Sequence, residues 1–378
     1  MPSAMSETAV PTLRRPLRVL FVLPDLDGGG AQRVTLSLLR QLDAARYAIS
    51  LLVLNGPGAL SPQVPPRVSL LYPPQIPGAR VGQWSVLRHA LTHDVLVAAL
   101  ELRTSFYVHF AAQLLRKPAI LWVRIAFGEY AATMSERNRR LSRRAYRDIP
   151  NVVFVAEGAR RSLAQWLGGE GSRWRTIHNL FDRSGYPAPA SIAPQTSPTA
   201  PLLLGIGRLE ARKGFDRLID AFAQVVAAGR DARLVILGEG PMRGALEAQV
   251  RQLGLGDRIE LPGFTPDPLS WMARATAYVL SSRNEGLPGT ILEAMACGTP
   301  VIATDCPSGP REMLQDGEVG LLVPVDDPPA LREAMLRVLD DPGLRQRLSR
   351  AGLLRIRAFE PARITAQWDA LFAEVAGR

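Results

Sequence analysis

Residues 281–300 read SSRNEGLPGTILEAMACGTP, and this segment gives the strongest signal in the chain. An apolar run over 277–281 predicts a buried strand, a Gly/Pro loop follows, and a helix is predicted to start near Thr290. Glu285 opens the loop, and Glu293 lies eight positions later, in the predicted first turn. Backbone N–H groups of such a loop and helix start can bind phosphate. The alternative to a ligand-binding role is that Glu293 only complements the helix dipole, or caps the helix together with Thr290. This alternative does not explain the loop.

Strands and helices alternate on both sides of this stretch. In the second half, strands are predicted at 202–206, 234–238, 259–261, 277–281 and 301–304, with helices at 215–228, 246–253, 269–275 and 291–296. In the first half, a strand at 18–24, a Gly-rich turn, a helix at 31–42 and a strand at 49–54 form a βαβ unit. Further strands are predicted at 68–72, 95–100, 120–123 and 152–156. The alternation predicts two Rossmann-like halves, with ligands at the carboxyl ends of the strands in a crevice between them.

The predicted domain order is a flexible tail at 1–16, a first Rossmann-like domain at 17–182, a linker at 183–201 and a second Rossmann-like domain at 202–352. The linker is predicted because 183–201 is rich in Pro, Ala and Ser and has no apolar periodicity. Residues 353–378 form a predicted C-terminal helix that we expect to pack on the first domain.

Composition limits the function classes. The 378 residues carry a net charge of +10, which favours anionic ligands, and almost all of the basic residues are Arg. Cys297 and Cys306 give no disulfide framework, and the four histidines show no zinc spacing, so we expect no metal and no cofactor. No signal peptide or apolar run of about 18 residues is found, so we expect a cytoplasmic protein. No nucleic-acid-binding motif is present, which argues against a nucleic acid partner.

Two further segments, one basic and one rich in glycine, lie between a predicted strand and a predicted helix. Residues 207–214, GRLEARKG, put Arg208 at a strand end and Lys213, one of only two lysines, near the next helix. Arginine can hold a diphosphate with two donors and lysine adds a compact charge. The alternative is a pair of solvated surface charges. Gly29 and Gly30, after the first strand, suit an anion site or a flexible turn equally, because neither GxGxxG nor GK[ST] spacing is present.

An arginine-rich segment runs from Arg137 to Arg147 and holds six arginines in eleven residues. On a helix, Leu141 and Ala145 would share a face with arginines around them. Such a surface suits contact with anionic lipid, which would make the protein peripheral on the inner face of the cytoplasmic membrane. A solvated helix of an Arg-rich protein is an equal alternative.

These segments together resemble the retaining glycosyltransferases of family 4. Residues 285–314, EGLPGTILEAMACGTPVIATDCPSGPREML, resemble the E-x7-E motif region of that family, and 207–214 resemble its GR-x4-KG stretch. Residues 28–34 (GGGAQRV) resemble its glycine loop, 177–182 (IHNLFD) its domain junction and 316–331 (DGEVGLLVPVDDPPAL) the end of its second domain. The resemblance covers the chain from about residue 18 and is most specific in the second half.

The resemblance implies an α/β GT-B fold, with two Rossmann-like domains facing across a cleft, and a set of site residues. Glu293 would hold the donor ribose, Glu285 would contact the donor sugar, and Arg208 and Lys213 would bind the diphosphate. Where the family often has a histidine, this chain has Arg124, which is a candidate contact to acceptor or donor sugar. The remaining implied donor-binding residues are Gly29, Gly30, Gly263, Phe264, Gly286, Leu287, Gly289 and Thr290.

The resemblance further implies metal-independent transfer of a hexose or N-acetylhexosamine from a UDP-sugar to a glycan or lipid-linked saccharide, with formation of an α-linkage. Three alternatives remain open: a nucleotide-sugar hydrolase, an epimerase on the same scaffold, and a binding protein without catalysis. The donor, the acceptor and an anionic membrane surface at 137–147 are the expected partners.

Overall fold

The computed structural model describes residues 15–74, 81–186 and 200–377. Residues 1–14 of the predicted tail and 187–199 of the predicted linker lie outside the described residues.

The first sheet has seven strands, in the order β3-β2-β1-β4-β5-β6-β7. Strand β1 pairs in parallel with β2 and β4, so that Phe21 lies opposite Leu51 and Val97. The elements of this part of the chain are β1 (Leu17–Leu23), α1 (Gly30–Gln41), β2 (Tyr47–Val53), β3 (Ser69–Leu71), α2 (Gly82–Ala90), β4 (Val95–Ala98), α3 (Arg103–Leu115), β5 (Ala119–Val123), α4 (Phe127–Ala132), α5 (Glu136–Asp148), β6 (Asn151–Phe154), α6 (Glu157–Leu167) and β7 (Arg173–Thr176).

The second sheet has six strands, in the order β10-β9-β8-β11-β12-β13, and every neighbouring pair is parallel. The order reverses between β8 and β11, so the carboxyl ends of these two strands flank a switch point, where parallel α/β sheets bind ligands. The elements are β8 (Leu202–Ile206), α7 (Phe215–Ala227), β9 (Arg233–Leu237), α8 (Arg243–Gln252), β10 (Ile259–Gly263), α9 (Pro268–Met272), β11 (Ala277–Leu280), α10 (Gly289–Ala296), β12 (Val301–Thr304), α11 (Pro310–Met313), β13 (Leu321–Val323), α12 (Pro328–Asp340), α13 (Pro342–Arg355) and α14 (Pro361–Val375).

The expected two parallel-sheet α/β halves are confirmed. Strands predicted at 202–206 and 301–304 have the observed bounds, and the others differ by a few residues. Strands β7 and β13 were not predicted as strands. Strand β7 reads RWRT, whose two arginines hide its strand character, and β13 has only three residues.

By its contacts the chain divides into two compact units. Unit 1 comprises Met1–Trp122, Arg140–Val152 and Thr365–Arg378, and unit 2 comprises Val123–Arg139 and Val153–Ile364. In unit 1 the C-terminal part of α14 packs on the sheet: the Trp368 ring lies 4.6 Å from that of Trp122, and Phe372 meets Phe21 edge to face. All four side chains are buried, because an aromatic stripe at helical spacing turns towards apolar strands.

In unit 2 the core lies between the second sheet and its helices. Helix α7 buries one apolar face, from Phe215 through Leu218 and Phe222 to Val225, against β8, β9 and β11. The strands contribute residues that are fully buried, as expected for a parallel sheet covered on both faces. This core fixes the loops at the carboxyl edge of the sheet. Among the described residues, no helix is long and apolar enough to cross a membrane.

Candidate active site

A buried ion pair lies at the carboxyl edge of the second sheet. Lys213 Nζ donates to Glu285 Oε1 at 2.5 Å, and the two side chains are only 13% and 8% exposed. Ser282 Oγ donates to the same oxygen at 2.7 Å. Burial alone would raise the pKa of the Glu285 carboxyl, but the charges of Lys213 and Arg212 and the two hydrogen bonds outweigh it and hold the pKa below its ordinary value. Glu285 is therefore an ionised carboxylate inside the protein at neutral pH.

The backbone around Lys213 explains how the pair is positioned. A 3-10 turn over Ala211–Lys213 ends at Gly214, whose φ is +63°. A Cβ on Gly214 would stand 2.1 Å from the carbonyl oxygen of Ser281, so glycine is required by both conformation and space. The Ser281 hydroxyl donates in turn to the Lys213 carbonyl at 2.9 Å. The loop after β8 is thus held against the end of β11, which brings the lysine to the glutamate.

The other basic residues of this loop lie nearer to solvent. Arg208 is 70% exposed and pairs with Glu210 at 2.7 Å. Arg212 is half exposed, contacts Glu210 at 3.0 Å and lies 3.8 Å from Glu285. The structure therefore brings Lys213 to Glu285 and leaves Arg208 at the rim with a neighbouring carboxylate.

Glu293 lies on α10 and differs from its sequence interpretation. The helix begins at Gly289, so Glu293 lies beyond the first turn. Thr290 does not cap the helix with it, because the N-cap residue is Pro288 and no side chain caps this helix. Thr290 Oγ1 accepts a hydrogen bond from the buried Tyr278 hydroxyl at 2.6 Å. The dipole and capping alternative for Glu293 is therefore wrong. Its Oε1 accepts a hydrogen bond from the Tyr186 hydroxyl at 2.7 Å, and the residue is 9% exposed.

The loop between Glu285 and α10 is tightly packed. A Cβ on Gly286 would stand 1.7 Å from the carbonyl oxygen of Arg124, so only glycine fits. Arg124 is buried, and its main chain lies directly against this loop. Ser308 Oγ donates to the Gly286 carbonyl at 2.8 Å, and Asn179 Nδ2 donates to the Leu287 carbonyl at 3.2 Å. Both carbonyls are thereby occupied. The first N–H groups of α10, at Gly289 and Thr290, have no acceptor within the helix and can serve an anion.

Gly263 and Phe264 mark the end of β10, at the same edge of the sheet. Gly263 has a φ of +99°, and Phe264 is 63% exposed. An exposed aromatic ring beside a backbone turn offers a flat apolar surface.

Gly29 and Gly30 belong to unit 1. Gly29 is the N-cap of α1 and Gly30 is its first residue. Gln32, in the same turn, donates to Asp25 Oδ1 at 2.7 Å. The two glycines therefore lie at a helix start after a strand, as expected.

His178 contacts Glu312 rather than an open site. Glu312 Oε1 lies 2.5 Å from His178 Nε2, and its second oxygen accepts from the Glu157 N–H at the start of α6 at 2.8 Å. The His178 ring also packs on Phe359, at 5.4 Å between ring centres. These contacts give His178 a structural position.

Three residues of the site were missed in the sequence. Ser282 lies inside the quoted stretch but is indistinguishable there from a turn residue. Asn179 contacts the Leu287 carbonyl, which is distant in sequence. Tyr186 was assigned to the linker, because the Pro-rich composition around it gave no indication of an ordered side chain. Across residues 15–74, 81–186 and 200–377, no three His, Cys, Asp or Glu side chains form a group that could hold a metal ion.

The chain is similar in sequence to known protein families. The model of the family "Glycosyl transferases group 1" matches residues 191–355, and that of "Glycosyltransferase Family 4" matches residues 28–184. The chain is 32% identical over 231 residues to an exopolysaccharide phosphotransferase of Streptomyces coelicolor, which covers 61% of this chain and 24% of that protein.

It is also 35% identical over 162 residues to the N-acetylgalactosamine-N,N'-diacetylbacillosaminyl-diphospho-undecaprenol 4-alpha-N-acetylgalactosaminyltransferase of Campylobacter jejuni, over 43% of this chain and 44% of that protein. The matches thus span less than half the length of these two relatives.

A solved structure shares the fold. The HepE protein of Anabaena, in complex with UDP and glucose, has a TM-score of 0.79 at 21% identity and covers 95% of this chain and 100% of its own. The fold with two parallel-sheet domains and the two family models, which together run from residue 28 to residue 355, lead to one conclusion. The chain belongs to the glycosyltransferases of group 1 and family 4 and has the GT-B fold.

Proposed function

We propose that this protein transfers a hexose or N-acetylhexosamine from a UDP-sugar to a glycan or lipid-linked saccharide, with retention of configuration. The observation that supports this most directly is the buried Lys213–Glu285 pair beside the start of α10. In glycosyl transfer a diphosphate leaves with negative charge while the sugar carbon becomes positive. A fixed cation and a fixed carboxylate in one site match both charges.

The proposed reaction breaks the bond between the sugar C1 and the β-phosphate oxygen. The acceptor hydroxyl oxygen attacks C1 from the same face, and the leaving phosphate oxygen takes the acceptor proton. Lys213, Arg208 and the first amides of α10 neutralise the diphosphate. The protein then needs no separate general base, because its contribution is positioning and charge stabilisation.

Glu285 has a role that follows from its ionisation. Its lowered pKa keeps the carboxyl charged at neutral pH, although burial opposes this. A buried negative charge stabilises the positive sugar carbon more strongly than an exposed one does. Glu285 thus acts as an electrostatic stabiliser in this proposal.

The donor is a nucleoside diphosphate sugar with a uracil base. HepE, which shares the fold, was solved with UDP and glucose. Glu293 accepts hydrogen bonds from the ribose, and the exposed Phe264 ring lies against the base. The Campylobacter jejuni relative is named an alpha-transferase with a diphospho-undecaprenol acceptor, which supports an α-linkage and a lipid-linked acceptor here.

Helix α5 supports contact with an anionic membrane. Its arginines lie mainly on the exposed side, together with Leu141, whereas Ala145 is buried. The sequence placed Leu141 and Ala145 on one face surrounded by arginines, and this is not observed. Arg139 folds back to the carbonyls of Ala131 and Ala132. We expect the protein to sediment with anionic vesicles but not with zwitterionic vesicles. Charge reversal at Arg140 and Arg144 should reduce this binding. Equal binding to both vesicle types would contradict this part of the proposal.

The test is a screen of UDP-, GDP- and ADP-sugars against lipid-linked saccharides, with products identified by mass spectrometry and the anomeric configuration by NMR. Lys213→Ala should abolish transfer. The matched control is Lys117→Ala, at the only other lysine, whose Nζ donates to the His93 carbonyl in unit 1. Full turnover by Lys213→Ala would contradict the assignment of the diphosphate site.

The alternatives give different products. A hydrolase would release UDP and free sugar at the same rate with and without acceptor, and an epimerase would return an altered UDP-sugar. A binding protein would be stabilised thermally by UDP-sugar through mass action but would give no product with any acceptor.

A further inference from the structure

The Tyr186–Glu293 hydrogen bond joins a segment before β8 to the helix that follows the Glu285 loop. Tyr186 is placed by a short ordered turn: its N–H donates to the Arg183 carbonyl at 3.2 Å. Asp182, buried ahead of this turn, accepts from the Ser184 N–H at 3.1 Å and from its hydroxyl at 2.6 Å. The hydroxyl of Tyr186 is therefore brought to Glu293 by local structure that satisfies its own hydrogen bonds.

The tyrosine ring is held as well as its backbone. Phe181 stacks on it, with ring centres 5.9 Å apart and an angle of 29° between the planes. A ring fixed on one face by stacking and at its tip by a carboxylate has little rotational freedom. The hydroxyl thus approaches Glu293 Oε1 from one direction.

A carboxylate needs such a contact to serve as a directional acceptor. The glutamate side chain has three rotatable bonds, and its terminal torsion is broad, so its plane is not set by the helix. A carboxyl group has acceptor positions on both of its oxygens, and the Tyr186 bond uses one on Oε1. One hydrogen bond from a fixed donor sets the plane, and with it the directions in which a pair of vicinal hydroxyls must approach.

We propose that Tyr186 is a positioning residue that orients the Glu293 carboxylate for the ribose hydroxyls of the donor. Tyr186 itself does not contact the substrate. The inference rests on the proposed function, since that assigns the ribose to Glu293. It adds that recognition of the ribose depends on a residue outside α10, on the segment that leads into the second sheet.

The test removes one hydroxyl from the protein and two from the ligand. Binding of UDP and of 2′,3′-dideoxy-UDP is measured by calorimetry on the wild-type chain and on Tyr186→Phe, which differs by a single oxygen. The wild-type chain should bind UDP about tenfold more tightly than the dideoxy ligand. Tyr186→Phe should weaken UDP binding about fivefold and leave dideoxy-UDP binding unchanged. In assays of transfer, KM for the donor should rise while kcat stays within about twofold.

Two comparisons separate positioning from general damage. Tyr72→Phe, the matched control, removes a hydroxyl that contacts Ser61 Oγ in unit 1 and should leave both affinities unchanged. In the Glu293→Gln background, Tyr186→Phe should have no further effect on UDP binding, because the carboxyl group that Tyr186 orients has been replaced by an amide. Equal melting temperatures of Tyr186→Phe and the wild-type chain confirm that the fold is intact.

Each result has a distinct meaning. If the wild-type chain binds both ligands equally, Glu293 does not hold the ribose, and the proposed function loses that contact. If the wild-type chain discriminates and Tyr186→Phe still discriminates by the same factor of about ten, the positioning role is wrong. Tighter UDP binding by Tyr186→Phe would also contradict the positioning role, since Tyr186 would then compete with the ribose for Glu293.

Discussion

Replacing Lys213 by methionine tests the electrostatics of the site without any substrate. Methionine keeps most of the length of the side chain but leaves Glu285 buried without its main counter-charge. Breaking a buried pair from one side costs about 3–5 kcal/mol. Because the Ser282 hydroxyl at 2.7 Å and Arg212 at 3.8 Å remain, we expect the lower end of that range, about 3 kcal/mol, at about pH 8.

The sign of the pH dependence follows from the pKa of Glu285. In the wild-type chain that pKa is lowered, so ionised Glu285 stabilises the fold above its ordinary pKa, and this stabilisation is lost as the pH falls. In Lys213→Met the charge and the hydrogen bond of Lys213 are lost while burial still opposes ionisation, so the pKa of Glu285 should be higher than in the wild-type chain. The variant should therefore lose less stability, relative to the wild-type chain, at about pH 5 than at about pH 8.

Urea unfolding at both pH values measures this effect. Glu285→Gln combined with Lys213→Met should recover most of the loss, because no buried charge then lacks a partner. Lys117→Met is the control for loss of a lysine. Lys117 contributes only the smallest cause of the lowered pKa of His93, so its pH-dependent difference from the wild-type chain should be much smaller than that of Lys213→Met. The reasoning would be refuted if Lys213→Met lost as much stability in the Glu285→Gln background as in the wild-type chain. It would also be refuted if the loss of stability did not depend on pH.

Two other substitutions test the packing that positions the site and the C-terminal helix. Gly286→Ala places a Cβ 1.7 Å from the Arg124 carbonyl and should cost about 2 kcal/mol, measured by urea unfolding. Gly244→Ala in α8, where a Cβ meets nothing within 4 Å, should instead stabilise by about 1 kcal/mol; equal effects would contradict the contact. Trp368→Ala removes a fully buried ring from Trp122 and should cost about 3–5 kcal/mol by the same measurement, and a loss below about 1 kcal/mol would show that the helix does not rely on this contact.

The fold could be predicted from the sequence because its strands are buried and its helices have one apolar face. Strand β8, LLLGI, and strand β12, VIAT, stand out as short apolar runs next to turn residues. Strand β7 could not be found in this way, because RWRT has a single apolar residue and belongs to the sheet only through its pairing with β6. Local pattern therefore identifies the inner strands better than the edge strands.

The residues of the candidate site could likewise be predicted only where local sequence pattern identifies them. Glu285, Lys213 and Glu293 were found because they lie in motifs with turn chemistry and charge at defined spacings. Their pairing could not be predicted, because sequence spacing places Arg208 at a strand end and Lys213 near the next helix without indicating which one reaches Glu285. Tyr186 was missed for a related reason: its partner lies 107 positions away, and only the folded chain brings the two together.

The contrast between the two cations bears on how the site would receive a diphosphate. Lys213 is already fixed by Glu285 and by the turn that ends at Gly214, so binding a ligand orders it little further. Arg208 is mostly exposed, and its pair with Glu210 is of the kind that contributes about 0–1 kcal/mol. Immobilising such a side chain costs about 1.5–2 kcal/mol of conformational entropy, which offsets part of any contact that it makes. Lys213 therefore supplies charge that is preorganised before binding, while Arg208 supplies charge that must be ordered by the ligand, and the two residues of one sequence motif do not contribute in the same way.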